Sequence, residues 1–228
     1  MDSLDLLANN IANSSTSGYK GDREFYTVFT SEAANEDPTN MPAALPMIQR
    51  QWTDFSQGLL EPTNNPMDLG LSGKGFFVVQ GPSGPLYTRN GNFQLSTTGA
   101  VVTQDGYPLL QQGGLPFETN PAQPIDISLD GTVRQNGQAI GQLQLVDFSD
   151  TSVLAKQGNN YFRNGSAQPP VDATAVQVYQ GRVEAANVAA AQGAVRLVNV
   201  TRQFEMMQKA IAVSNDMGRE AIEEVAKV

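Results

Sequence analysis

Read in alternating steps of three and four, the last part of the chain gives Ala190, Gly193, Leu197, Val200, Phe204, Met207, Ile211, Ser214, Gly218, Ala221, Val225 and Val228, nine of the twelve apolar. The mean step of about 3.5 residues is the period of a left-handed coiled coil. No proline interrupts Asn187 to Val228, so the pattern predicts one helix about 60 Å long. Gly193 and Gly218 weaken it by about 1 kcal/mol each relative to alanine. Val195, Val198, Met206, Val213 and Ile222 fall off the stripe and are nonetheless apolar. A helix apolar on more than one side has to be covered on more than one side. Burying each of these side chains is worth roughly 1.5–3 kcal/mol, an upper bound. Two readings are open at this point: a core helix of a single globular domain, or an assembly helix covered by other chains.

Leu4, Leu7 and Ile11 repeat with the same spacing at the other end, and Asp2 and Asp5 suit the positive end of a helix dipole there. About a dozen residues make a marginal helix in water, so this one needs a partner, and the C-terminal stripe matches it. Asn9, Asn10 and Asn13 are expected on the opposite side, and Ser14-Ser15-Thr16-Ser17-Gly18 ends the helix. The expected fold is mainly β with α-helical termini, an antiparallel β domain inserted between two helices that form a coiled-coil-like pair. The expected division is an N-terminal helix and cap over 1–18, an extended or linker region over 19–60, a β domain over 61–183 and a C-terminal assembly helix over 184–228. The expected assembly interface is Leu4, Leu7, Ile11, Val195, Leu197, Val198, Val200, Phe204, Met207, Ile211, Val213, Ile222 and Val225.

Between the ends, Phe25, Val28 and Phe29 form a strand-like patch, and the proline-punctuated stretch Ser31–Pro46 reads as a loop, with Trp52 and Phe55 anchoring the return. Further on, short β-branched and aromatic runs (Phe76-Phe77-Val78-Val79, Val101-Val102-Thr103, Leu143-Gln144-Leu145-Val146) alternate with turns. Asn90-Gly91, Asp105-Gly106, Asp130-Gly131, Asn136-Gly137 and Asn164-Gly165 are tight-turn signals.

Composition narrows the chemistry. The 228 residues include neither cysteine nor histidine, which removes thiolate and imidazole metal sites and every Ser-His-Asp or Cys-His arrangement. Gly70-Leu71-Ser72-Gly73-Lys74-Gly75 lacks the order of a phosphate loop and precedes a strand, so it reads as a β-turn. Asp147 with Asp150, and Glu223 with Glu224, read as solvated carboxylates. Met206, Met207 and Met217 read as packing residues. No catalytic, cofactor or metal site and no small-molecule substrate is expected.

The net charge is −9, and the C-terminal stretch contributes none of it. Arg196, Arg202, Lys209, Arg219 and Lys227 balance Glu205, Asp216, Glu220, Glu223 and Glu224. A neutral apolar helix suits self-association, and an acidic body disfavours nucleic acid and anionic lipid. No apolar run reaches the roughly eighteen residues of a membrane span, and Met-Asp-Ser-Leu-Asp-Leu-Leu lacks the basic start of a secretory signal. Neither membrane insertion nor a cleaved signal peptide is expected.

Several motifs stand in a telling order. They are Ala8-Asn9-Asn10-Ile11-Ala12-Asn13 with Thr16-Ser17-Gly18-Tyr19-Lys20, Asn65-Pro66-Met67-Asp68-Leu69, Gly73-Lys74-Gly75-Phe76-Phe77, Tyr87-Thr88-Arg89-Asn90-Gly91-Asn92-Phe93, Asp105-Gly106-Tyr107-Pro108-Leu109, Glu184-Ala185-Ala186-Asn187-Val188 and Arg202-Gln203-Phe204-Glu205. Together they resemble the flagellar hook–basal-body rod family, its rod proteins most closely, and the Arg202–Glu205 wording leans to the proximal rod. Ala186 stands where that family usually has a serine, which removes a helix N-cap hydroxyl. The resemblance implies an axial structural protein of the basal body. Its terminal helices would pack as a coiled coil lining the rod, its β domain would form an outer layer, and it would pass unfolded through the flagellar type III export apparatus. Its implied partners are copies of itself and other rod and hook axial proteins. A reading from another class is a β-rich extracytoplasmic binding module with a helical stalk, in which Trp52 or Tyr107 would stack on carbohydrate.

Overall fold

The computed structural model describes residues 2–29, 45–158 and 160–225. The chain forms two units, Met1–Ala12 with Ala189–Val228, and Asn13–Val188. The first is helical, with α1 (Asp2–Ala12) and α2 (Ala190–Val225), the latter 36 residues long. The two helices touch, and at Gly193 a Cβ would lie 2.9 Å from Cγ1 of Ile11. On α1, Leu7 and Asn10 are buried, and Leu4, Leu6 and Ile11 are half-buried. The covered face is therefore rotated from the expected Leu4–Leu7–Ile11 stripe. Asn10, expected on the open side, follows Leu7 by three residues and so shares its face. Among the described residues, no helix is long and apolar enough to cross a membrane.

The second unit is built of short strands. The chain runs through β1 (Asp22–Phe29), β2 (Leu45–Thr53), β3 (Leu60–Pro62), β4 (Leu69–Ser72), β5 (Phe76–Gly81), β6 (Gly84–Thr88), β7 (Phe93–Leu95) and β8 (Val101–Thr103). It continues through β9 (Ile125–Ile127), β10 (Thr132–Gln135), β11 (Gln138–Gln142), β12 (Leu145–Asp147) and β13 (Leu154–Gln157). The last strands are β14 (Tyr161–Asn164), β15 (Val171–Asp172), β16 (Gln177–Gln180) and β17 (Arg182–Glu184). All the ladders between them are antiparallel. The largest sheet has the order β13-β14-β6-β5-β12-β15.

Strand β5 explains why its sequence is an unbroken apolar run. An alternating pattern marks a sheet with one wet face, whereas a strand covered on both faces is apolar at every position. Phe77 and Val79 enter one core with Leu71, Leu86, Val133, Leu145 and Val178. Phe76 and Val78 enter a second core with Tyr87, Val146, Phe148 and Phe162. The second core is largely aromatic, with edge contacts such as Phe76–Phe148 at 5.9 Å and Tyr87–Phe148 at 4.9 Å.

The strand-like patch at Phe25–Phe29 is part of an eight-residue strand, β1, whose register with β2 runs from Asp22↔Thr53 to Phe29↔Leu45. Pro46 lies in β2, tolerated because both strands of a two-stranded ribbon are edges. The remainder of the expected loop, 31–44, lies outside the described residues. The turn signals divide by mechanism. Asn136 and Gly137, at φ 51° and 78°, close the β10–β11 hairpin across Gln135↔Gln138. Gly91 serves close approach instead: a Cβ there would lie 1.6 Å from the Leu69 carbonyl oxygen. Gly91→Ala is therefore expected to destabilise the β domain by roughly 2–4 kcal/mol. Denaturant unfolding measures this, and a midpoint equal to wild type would contradict the packing argument.

Candidate functional site

The segments that flank the two helices meet inside the β domain. Gly18, at φ 71°, donates its N–H to the Glu184 carbonyl at 2.6 Å, and a Cβ on it would lie 2.2 Å from the Asn90 nitrogen. This brings Tyr19 and Lys20 into the interior. The Lys20 ammonium donates to Glu184 Oε1 at 2.6 Å and to the Ser56 carbonyl at 2.7 Å. Arg89 donates from Nη1 to Glu184 Oε2 at 3.2 Å and from Nη2 to the Gly73 carbonyl at 2.8 Å. The Gly58 N–H donates to Glu184 Oε1 at 2.8 Å. Both side chains of the Lys20–Glu184 pair are 0% exposed, so this is an ion triad within the protein interior. The Arg89 guanidinium also lies 5.2 Å from the Phe76 ring centre, joining the triad to the aromatic core.

A second layer fastens the same segments. The Lys156 ammonium donates to the Lys20 carbonyl and to Asp22 Oδ2, each at 2.7 Å, and lies 4.6 Å from the Tyr19 ring centre. Asn187 Oδ1 accepts from the Gly21 N–H at 2.8 Å, while its Nδ2 donates to the carbonyls of Asp54 at 2.6 Å and Ser56 at 3.2 Å. That amide is committed to the domain, and the expected cap at Ala186 is not one: α2 begins at Ala190, where the Gly193 N–H donates to the Ala189 carbonyl. Residues from Gly18 to Asp22, Asp54 to Gly58, Arg89, and Glu184 to Asn187 are thus tied at one point.

Burial pulls the Lys20 ammonium below its ordinary pKa, opposed by the Glu184 charge. Burial does the same to Arg89, again opposed by Glu184. The Tyr19 phenol is pushed up to about 12, by burial first and by the Asp22 charge second. For an acid raised in this way the unfolded chain ionises first. Its stabilisation is full below pH 10.0 and is lost as the pH climbs to about 12. In an alkaline titration, Tyr19 is expected to ionise well above pH 10.0, so Tyr19→Phe should lose one phenolate from the late part of the wild-type curve. Phenolate absorbance recorded beside circular dichroism checks this; an unchanged late part, or a phenolate lost near pH 10.0 instead, would contradict it.

These groups hold one another and present no reactive atom. The other candidates are structural as well. Gly73, at φ 103°, ends β4 and accepts from Arg89. Asp147 accepts from the Phe148 N–H, and Asp150 caps the 3-10 turn Thr151–Val153. Trp52 is half-exposed on β2, and Tyr107 packs edge-on against Tyr161 at 5.4 Å.

The expected interface residues occupy α1 and α2. On α2, Leu197 and Val200 are half-buried, while Val195, Val198, Phe204, Met207, Ile211 and Val213 are exposed. Ile222 and Val225 lie on the helix, but their side chains are outside the described residues. At about 100° per residue, Leu197, Val200, Phe204, Met207 and Ile211 share one stripe, and Val195, Met206, Val213 and Met217 lie roughly opposite it. The residues that sequence reasoning missed are Lys20, Arg89 and Glu184, although each lies in a motif quoted for the resemblance. Arg89 alone stands as a single charge among turn and apolar residues; Lys20 precedes Asp22-Arg23-Glu24 and Glu184 follows Arg182, so no common local signal marks the three.

Three family models match in chain order. Residues 3–20 match the flagella basal body rod protein model, residues 70–135 the flagellar hook protein FlgE/F/G D1 domain, and residues 179–224 the flagellar basal body rod FlgEFG protein C-terminal model. The chain is 33% identical over 226 residues to the flagellar basal-body rod protein FlgF of Caulobacter vibrioides, covering 99% of this chain and 92% of that protein. It is 32% identical over 223 residues to FlgF of Rhizobium meliloti, covering 96% and 90%. It is 33% identical over 238 residues to the rod protein FlgG of Buchnera aphidicola subsp. Schizaphis graminum, covering 94% and 90%. With likeness of this extent carried by the same motifs that meet at the buried triad, the chain belongs to the flagellar basal-body rod protein family, FlgF-like ahead of FlgG-like, and is a structural component of the basal body and not an enzyme.

Proposed function

We propose that this chain polymerises through its terminal helices, with copies of itself or other rod and hook axial proteins covering α2. The product is the rod that spans the periplasm, transmits torque and encloses the export channel. The observation that carries this reading is the exposure of α2: every side chain from Thr201 to Met217 is open, with apolar stripes on opposite sides. One partner covers one stripe, so a helix of this kind needs at least two.

In this reading α1 and α2 pair in coiled-coil fashion, which the approach of Ile11 to Gly193 supports. Residues 1–18 and 184–228 form the assembly region, 19–60 the connection and 61–183 the outer body. Leu4, Leu7 and Ile11 support the assembly surface from α1, and Val195, Leu197, Val198, Val200, Phe204, Met207, Ile211, Val213, Ile222 and Val225 are buried between subunits. The triad of Lys20, Arg89 and Glu184 ties the segment that follows α1 to the segment that precedes α2 inside the β domain. The subunit reaches its place through the flagellar type III export apparatus without a cleaved signal.

Electron microscopy of the full chain over a rising concentration series tests the proposal. Filaments or rod-like oligomers are expected above a threshold concentration, sooner when another rod subunit is added. A monodisperse monomer under all these conditions overturns it.

A further inference from the structure

We propose that Met206, Met207 and Met217 form an oxidation-sensitive latch on assembly, an inference that rests on the reading of α2 as the polymerising surface. The chain has no cysteine, so its thioethers are the softest sulfur it can present to an oxidant. Among the methionines whose side chains are described, the placement is uneven. Met67 is half-buried against the main core. Met206, Met207 and Met217, at 63%, 64% and 66% exposed, all lie on α2. They are divided between its two sides: Met207 shares the stripe of Phe204 and Ile211, and Met206 and Met217 share the stripe of Val195 and Val213. Oxidation of these three therefore reaches both apolar faces.

The oxidant class is a peroxide. A sulfur lone pair attacks one oxygen of hydrogen peroxide, the S–O bond forms as the O–O bond breaks, and the proton on the newly bound oxygen passes to the departing hydroxide, which leaves as water. The sulfur is oxidised by two electrons and the peroxide is reduced by two. The product sulfoxide is polar and chiral where the thioether was apolar and flexible. A sulfoxide resists transfer into a dry interface, and a thioether buried in an interface is shielded from peroxide. Oxidation and assembly thus exclude each other: a free subunit is open to the oxidant, and an assembled one is protected.

Hydrogen peroxide applied to the full-length chain, with peptide mass spectrometry reading each methionine, tests this. Below the assembly threshold, Met206, Met207 and Met217 are expected to oxidise several-fold faster than Met67. The oxidised chain is expected to need a higher concentration to assemble, on the order of tenfold per modified methionine. A methionine sulfoxide reductase should restore assembly. The variant carrying Met206→Leu, Met207→Leu and Met217→Leu should assemble with or without peroxide. Unchanged assembly of the fully oxidised wild type overturns the inference, as does an equal loss of assembly in the leucine variant after peroxide. Failure of the untreated wild type to assemble at all overturns the polymerisation reading, and the latch falls with it.

Discussion

Phe204→Asp is expected to abolish assembly of this chain while leaving the unfolding transition of its β domain unchanged. Phe204 is centred on the stripe of Leu197, Val200, Met207 and Ile211 and is 45% exposed. Covering the part that is open is worth about 1 kcal/mol in a polymer. Aspartate removes that gain and asks the interface to desolvate a carboxylate with no planned partner, which costs several kcal/mol more. A total on the order of 5 kcal/mol per interface weakens each association step by more than about a thousandfold. The monomer pays little, because the substitution replaces an open side chain with one that prefers water. Sedimentation and electron microscopy measure the assembly arm, and denaturant titration followed by circular dichroism measures the fold. Normal incorporation of this variant would mean that the stripe is not a subunit interface.

The opposite partition is expected for Glu184→Gln, which should damage the fold before it touches assembly. The carboxylate serves Lys20 at 2.6 Å, Arg89 at 3.2 Å and the Gly58 N–H at 2.8 Å. The amide leaves two buried cations without their counter-charge. Breaking a buried pair in this way costs about 3–5 kcal/mol, a large share of a domain's net stability. Adding Lys20→Met to Glu184→Gln removes one orphaned cation, so the double variant is expected to recover about 1–3 kcal/mol relative to strict additivity. Chemical denaturation of the four proteins in the cycle reads this coupling. If Glu184→Gln unfolds at the wild-type midpoint, the triad is not what holds this part of the β domain together.

The two variants separate two kinds of information in the chain. What the sequence determined by itself was local or periodic. The 3.5-residue recurrence that marked α2 needs no knowledge of any distant residue. Neither does the Phe76–Val79 run that marked a strand, nor the Asn136-Gly137 pair whose positive φ values close a hairpin. In each case neighbouring residues carry the whole cause: side-chain direction repeats with the backbone, and a turn is set by the few residues in it.

Tertiary structure decided what depends on distant partners. Lys20 and Glu184 are 164 residues apart, and no spacing rule links them. Each reads as an ordinary surface charge until the fold brings them together and removes the water. The strand at Phe25–Phe29 read as a short patch because its partner, Leu45–Thr53, is supplied from beyond a long connection. Asn90-Gly91 had the letters of a hairpin turn, but the nearness of the Leu69 carbonyl is what requires the glycine. On α1, the sequence determined the helix, and packing decided that Asn10 would share the buried side with Leu7. The physical reason is common to all four. Periodicity fixes where a side chain points on its own element, whereas burial, charge pairing and close approach are properties of what lies opposite, and that is known only once the chain has folded.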